Sequence, residues 1–350
     1  MIDFRYHLVS IVAIFLALSL GLLLGTTQLG PYVQRGLNGL SKTQHNEIES
    51  LLGTQSQLKS QISSENQFAT ANAPSILQNV LADQRVVLVL APGATGSVTS
   101  GITQALKTAG ATVTGQLQMQ TAFFDKSAAT TQKLTQVTEQ YAQSAGLTLT
   151  GSASAQAQAS ELLAHLIMTR SQPGQPVPGE SDPVSVQAVQ TLAGAGFLTK
   201  SGQPWNRATL AVVIIPATPQ STDDTNPESQ ALVTLAQQLN LAGLGTVVAG
   251  TVAGSGPGSA IDVMRAGGRA GHLTSVDNAD YPIGQIVVAQ ALADRLLHGK
   301  SGSYGVTSTA SAAGPSPPPT PAPTVSPTAA TQGSASGRAG HPAATGSAAP

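Results

Sequence analysis

The 350-residue chain contains no cysteine. Disulfides, thiolate metal sites and a cysteine nucleophile are therefore excluded. The lack suits an exported protein that avoids free thiols, although many intracellular domains are also cysteine-free. Charge is scarce too: Asp, Glu, Lys and Arg make up 9% of the residues, against about 25% in typical soluble domains. With 16 basic and 17 acidic side chains, no basic cluster stands out that could neutralise a run of phosphates. Nucleic acid is not an expected partner. Surface polarity falls instead to Gly, Ala, Ser, Thr and Gln.

One place lacks charge altogether. From Leu8 to Gln34 there is no charged residue, and "HLVSIVAIFLALSLGLLLGTTQLG" (7–30) is apolar for long enough to cross a bilayer, which takes about 20 residues. A secretory signal has a shorter apolar core and a small-x-small cleavage site. No Ala-x-Ala follows here, so the stretch reads as a retained anchor. Its short leading tail favours an N-in, C-out orientation, with membrane lipid as its first partner and the bulk of the chain outside the cytoplasm. Ala13, Ala17, Gly21 and Gly25 recur every fourth residue, a small-xxx-small row of the kind that lets membrane helices approach closely.

The spacing then predicts a helix over 33–68. Leu37, Ile48, Leu51, Leu58 and Ile62, with Ser41, Gln44 and Gln55, alternate in steps of three and four, as a coiled-coil seam does. The stripe suits either self-association into a homo-oligomer or a stalk lying against its own domain. Asn72 to Pro74 reads as a linker. Beyond it, buried-type strands at 85–93, 111–117, 208–217 and 245–250 alternate with helical patterns at 97–109, 127–145, 151–170, 184–193 and 226–241. A last helix runs from Tyr281 to His298, with Pro282 in its first turn and Gly299 past its end. This order predicts an α/β fold with a mostly parallel sheet and flanking helices. The expected organisation is a membrane anchor (1–31), a coiled-coil stalk (32–72), an extracytoplasmic α/β domain (73–306) and a disordered Pro/Ala/Ser/Thr-rich tail (307–350).

Signatures of chemistry are thin. "LVLAPGATGSVTSG" (88–101) places Gly93 and Gly96 between a strand and a helix but lacks the full GxGxxG, so a tight turn explains it better than a dinucleotide site does. "GTVVAGTVAGSGPGSA" (245–260) is glycine-rich without the Lys-Ser or Lys-Thr of a phosphate loop. Candidate metal ligands are His165 with Met168, spaced i and i+3 on a helix, then Met264 and His272, with Met119 and His298 further afield. Core packing is the simpler account of the His165 and Met168 pair. Asp262, Asp277 and Asp280 near His272 have no spacing that dictates catalysis; loop capping is the simpler role. No enzyme activity and no required cofactor are expected.

Taken together, "HLVSIVAIFLALSLGLLLG", "SSENQFA", "GAGFLT" and "TSVDNADYPIGQIVVAQALADRLLHGKSGSYG" resemble a known group. It is the actinobacterial copper transporter family typified by mycobacterial copper transport protein B. The resemblance runs from Met1 to Val306 and leaves out the proline-rich tail. It implies a membrane-associated envelope protein, channel-forming and contributing to copper efflux and tolerance, with copper as the ion carried or bound. It supplies no metal ligands residue by residue. A single apolar helix cannot form a pore alone, and the α/β pattern is not that of a membrane barrel, so any channel needs several copies. The alternative is a non-transporting oligomeric scaffold that binds cell-wall components or other envelope proteins.

Overall fold

The computed structural model describes residues 4–28, 30–151, 153–171, 182–219, 221–223, 226–266 and 273–316, without the side chains of 4 and 28–43. Two helices open the chain, α1 (Phe4–Gln28) and α2 (Gly30–Leu77). Within α1, Arg5–Thr27 is long and apolar enough to cross a membrane. Its leucines, isoleucines and valines are exposed. By helical rise α2 is about 70 Å long.

The rest is a wound sheet. The strands are β1 (Arg85–Leu90), β2 (Thr112–Met119), β3 (Leu198–Gly202), β4 (Leu210–Ile214), β5 (Gly245–Ala249), β6 (Thr274–Val276) and β7 (Ser303–Tyr304). They lie in the order β3-β2-β1-β4-β5-β6-β7. All pairs are parallel except β2 with β3. Helices cover both faces, so the central strands are apolar throughout, as the runs "RVVLVL" and "LAVVI" foretell.

Alternation within each strand divides the core. Val87, Val89, Ala211 and Val213 join one buried cluster with α5 (Ala128–Ser144), α6 (Ala155–Ile167), α7 (Pro183–Gly194) and α8 (Pro227–Ala242). Val86, Leu88, Leu90, Leu210 and Val212 join the other, with α3 (Gly96–Thr108), α10 (Pro282–His298) and the carboxyl end of α2. Two shorter helices, α4 (Thr121–Phe124) and α9 (Ala260–Ala266), lie within connections. The stop at Gly299 is as the sequence predicts: it takes φ 65° and its N–H donates to the Arg295 carbonyl.

Three expectations change. The linker at Asn72 to Pro74 is helix: α2 runs through Pro74 to Leu77. Ala69 and Leu77 are buried and Ala73 packs with them in the α3 and α10 cluster, and this tertiary contact outweighs the helix-breaking proline. Strands β3, β6 and β7 were not foreseen: β3 is a polar, mostly exposed edge strand, and β6 and β7 are only 3 and 2 residues long. The chain expected to leave the domain after Val306 stays on it to residue 316. The Gly305 N–H donates to the Ala312 carbonyl, Ser311 donates to the Ser303 carbonyl, and Pro315 is buried.

Candidate functional site

The structure scatters the sequence-predicted metal candidates. Met168 is the residue after α6, 2% exposed, and its Cε methyl fills the space a side chain at Gly243 would need. Met264 on α9 and Met119 on β2 are each 1% exposed in the same apolar cluster. His165 is half-buried. Burial lowers its pKa, and Arg207 lowers it further, against smaller opposing influences from the Ala145 backbone and Asp182. His298 sits on Asp294 at the end of α10, Nδ1 to Oδ1 2.7 Å. His272 lies outside the described residues. Among the described residues no group of three or more His, Asp and Glu gathers in a metal-holding arrangement.

The glycine-rich turns are packing devices. The sheet order reverses between β1 and β4, where an open α/β sheet binds ligands. Chain closes that crevice: the Ala217 N–H donates to the Gly93 carbonyl at 3.2 Å, and Thr251 Oγ1 donates to the Ala217 carbonyl at 2.9 Å. Gly93 supplies the positive φ of the turn, 78°. At Gly101 a Cβ would overlap the Gln285 carboxamide, so that glycine lets α3 lie close on α10.

One carboxylate does far more than cap a loop. Asp277 is fully buried and pairs with Arg265 on α9, Nη1 to Oδ2 2.8 Å, both side chains nearly solvent-free. The Arg265 guanidinium also reaches Ser275 Oγ, the Tyr304 carbonyl, Thr307 Oγ1 and Thr309 Oγ1. Asp277 in turn accepts from the Val306 N–H at 2.7 Å and the Thr307 hydroxyl at 2.5 Å. Burial, the largest single influence, pushes its carboxyl up; hydrogen bonds from Thr307, Arg265 and Val306 and the Arg265 charge together hold it below the usual value. The clamp pins residues 303–309 to the sheet edge. Asp262 and Asp280 do play the capping role, accepting from the Gly258 and Val252 amides.

Beside this clamp, where α2 leaves the domain, lies an apolar groove of about 730 Å³. Ile62, Phe68 and Ala69 of α2 form one wall; Val252, Ile283 and Val306 form the other, with Asn278 and Tyr281 between. Phe68 is 70% exposed and Val306 64%, so its apolar walls remain open.

This architecture can be set against known proteins. The family described as "Copper transport outer membrane protein, MctB" matches residues 1–315. The chain belongs to this family. The MctB match takes in α1, α2, the whole sheet and the clamped segment after Val306, which extends the coverage expected from the sequence. Copper transporter MctB of Mycobacterium leprae (strain TN) is 29% identical over 321 residues, 89% of this chain and 98% of that protein. Copper transporter MctB of Mycobacterium tuberculosis (strain ATCC 25618 / H37Rv) is 27% identical over 307 residues, 87% and 96% respectively. The MctB family is thus named for transport rather than catalysis, and for the outer membrane, which accords with an apolar helix at the start.

Proposed function

We propose that this protein is a homo-oligomeric, membrane-anchored member of the MctB family that contributes to copper efflux and copper tolerance. The observation that carries the reading is the extent of the family match, residues 1–315. The match takes in α1, α2 and the sheet together rather than the sheet alone. Two features support several copies acting together. Gly21 and Gly25 on α1 have nothing within 4 Å of where a Cβ would stand, leaving the small-residue row open to a second helix. On α2, Ile48, Leu51 and Leu58 are more than half exposed, so in this part the stalk does not rest on its own domain and its seam is free to meet another copy.

A second reading has a specific observation behind it. The side chains that α1 turns outward are overwhelmingly aliphatic, and conducting paths are normally lined by polar groups. That favours an oligomeric envelope scaffold or binding protein that does not itself conduct. A deletion strain complemented with this chain, scored for copper sensitivity together with intracellular copper content, separates the two. The copper reading expects hypersensitivity with raised intracellular copper, both reversed by complementation. Unchanged tolerance with unchanged copper content sinks it and leaves the scaffold.

A further inference from the structure

We propose that the chain's own proline-rich segment, residues 317–323, docks in the groove between α2 and the domain as a polyproline II strand, its prolines against Phe68, Tyr281 and Ile283. The path of the chain is the first support. Ala312 pairs in parallel with Tyr304, so beyond β7 the chain runs again toward the carboxyl edge of the sheet. There Val252, Asn278 and Val306 of the groove follow β5, β6 and β7. Two residues past Ala312, a Cβ at Gly314 would stand 3.2 Å from Val287 of α10. Val287 shares a helix face with Ile283, which lies one turn nearer that edge and lines the groove. One turn is about 6 Å, a distance that two extended residues span. The buried Pro315 and then Ser316 therefore deliver the chain to the groove where residue 317 begins.

The second support is what arrives there. Residues 317–323 read "PPPTPAP", with proline at five of seven positions. Such a run favours polyproline II, which rises about 3.1 Å per residue, so seven residues reach about 20 Å. The α2 wall from Ile62 to Ala69 is about 10 Å long, well within that reach. Grooves that take this conformation are lined by aromatic rings, and this one presents Phe68, 70% exposed, and Tyr281. Proline loses little freedom on docking, so even a shallow apolar groove can hold it.

Polar chemistry agrees. A polyproline II strand leaves its carbonyl oxygens open as acceptors. At the groove Tyr281 brings a phenol hydroxyl, and Ile283, in the first turn of α10, an N–H with no acceptor inside the helix. Charge is matched by its scarcity on both sides. Glu65 is the one formally charged residue lining the groove, and Gln61 already donates to its Oε1 at 3.0 Å. No charged residue lies between Lys300 and Arg338, so the segment brings no ion that the groove would have to pair.

The test uses the full chain in phosphatidylcholine nanodiscs. Because the chain has no cysteine, an engineered pair reports contact without background. Ile283→Cys, at a residue 52% exposed, combined with Thr320→Cys should form a disulfide within one chain. Changing Pro317, Pro318, Pro319 and Pro321 to Ser should slow that disulfide at least tenfold, whereas a segment that is merely tethered nearby would keep its rate or gain from the added freedom. Hydroxyl-radical footprinting gives a second readout. A chain ending at Ser316 retains every contact described above, and in it Phe68 and Ile283 should be labelled at least threefold more than in the full chain, with Ile48 and Leu51 unchanged as internal reference. A disulfide rate unmoved by the serine changes, or equal labelling of Phe68 and Ile283 with and without the segment, overturns the proposal. So does a disulfide that joins two chains, which gives the groove to the segment of a second copy. Copper is not part of the readout, so this proposal and the copper reading fail separately.

Discussion

Replacing Asp277 by Ala should be among the most damaging single changes in the domain. The carboxylate is 0% exposed and the partnering Arg265 side chain 4%, so the substitution leaves a guanidinium buried without its counter-charge. Breaking such a pair from one side costs about 3–5 kcal/mol. For a domain of this size each kcal/mol moves the unfolding midpoint by roughly 2–4 °C, so a fall of about 10 °C is expected. Thermal unfolding followed by circular dichroism measures it. Limited proteolysis then asks whether 303–316 is released first, because Val306 and Thr307 lose their acceptor. The pH dependence has a definite sign. The folded carboxyl lies below its ordinary value, so its contribution is complete above about pH 4 and is lost as pH falls through the folded value. Asp277→Asn should flatten that acid slope. Replacing both partners with apolar residues of similar volume should recover much of the loss, since a satisfied buried pair is itself worth little. A loss under about 1 kcal/mol for Asp277→Ala, or a tail no easier to cleave, would refute the reasoning.

Two further outcomes follow from single residues. Pro74 is exposed within α2, and an interior helical proline costs about 3 kcal/mol against alanine; Pro74→Ala should raise the unfolding midpoint, by at least about 1 kcal/mol in chemical denaturation, and a lower midpoint would mean that the proline is needed where α2 meets the domain. Burial and then Arg207 lower the pKa of His165, so stability should fall as pH drops from the ordinary imidazole value of about 6.5 through the folded one. In His165→Gln that slope should shrink; an unchanged slope assigns it elsewhere.

Length and periodicity made much of this architecture legible. The runs at 85–90 and 210–214 are apolar on both faces because helices cover both, and such strands announce themselves. The apolar helix α1 is visible because no charge interrupts its run, and α10 because Pro282 and Gly299 bracket it. What stayed hidden depends on contacts distant in sequence. β7 has two residues and exists because Tyr304 pairs with Val276, some thirty residues earlier. The helix through Pro74 is held by α3 and α10. Asp277 reads as a loop acid, since nothing in its spacing reveals that Arg265 and Thr307 converge on it. One signal was available: Gly305 adopts φ 134°, and a Cβ there would overlap the Asp277 carboxylate. A glycine placed between Tyr and Val at the end of a short strand hints at such an approach. The groove was illegible for the same reason, as its two walls lie about two hundred residues apart.

The stalk and the domain compete for one face of α2. Ile48, Leu51, Gln55, Leu58, Ile62, Glu65 and Ala69 continue in steps of three and four, and Ala73 and Leu77 extend the stripe. Its last part is covered by α3 and α10, its first part is bare. A second helix along the bare part must therefore stop where the domain begins to occupy the stripe, between Ile62 and Ala69. That is where the groove opens. In the homo-oligomer proposed above, the stalk contact thus ends at the groove's edge, because one apolar stripe cannot serve both the partner helix and the sheet's helical cover at the same level. The groove sits at that change of partner, which is why its α2 wall is apolar yet uncovered.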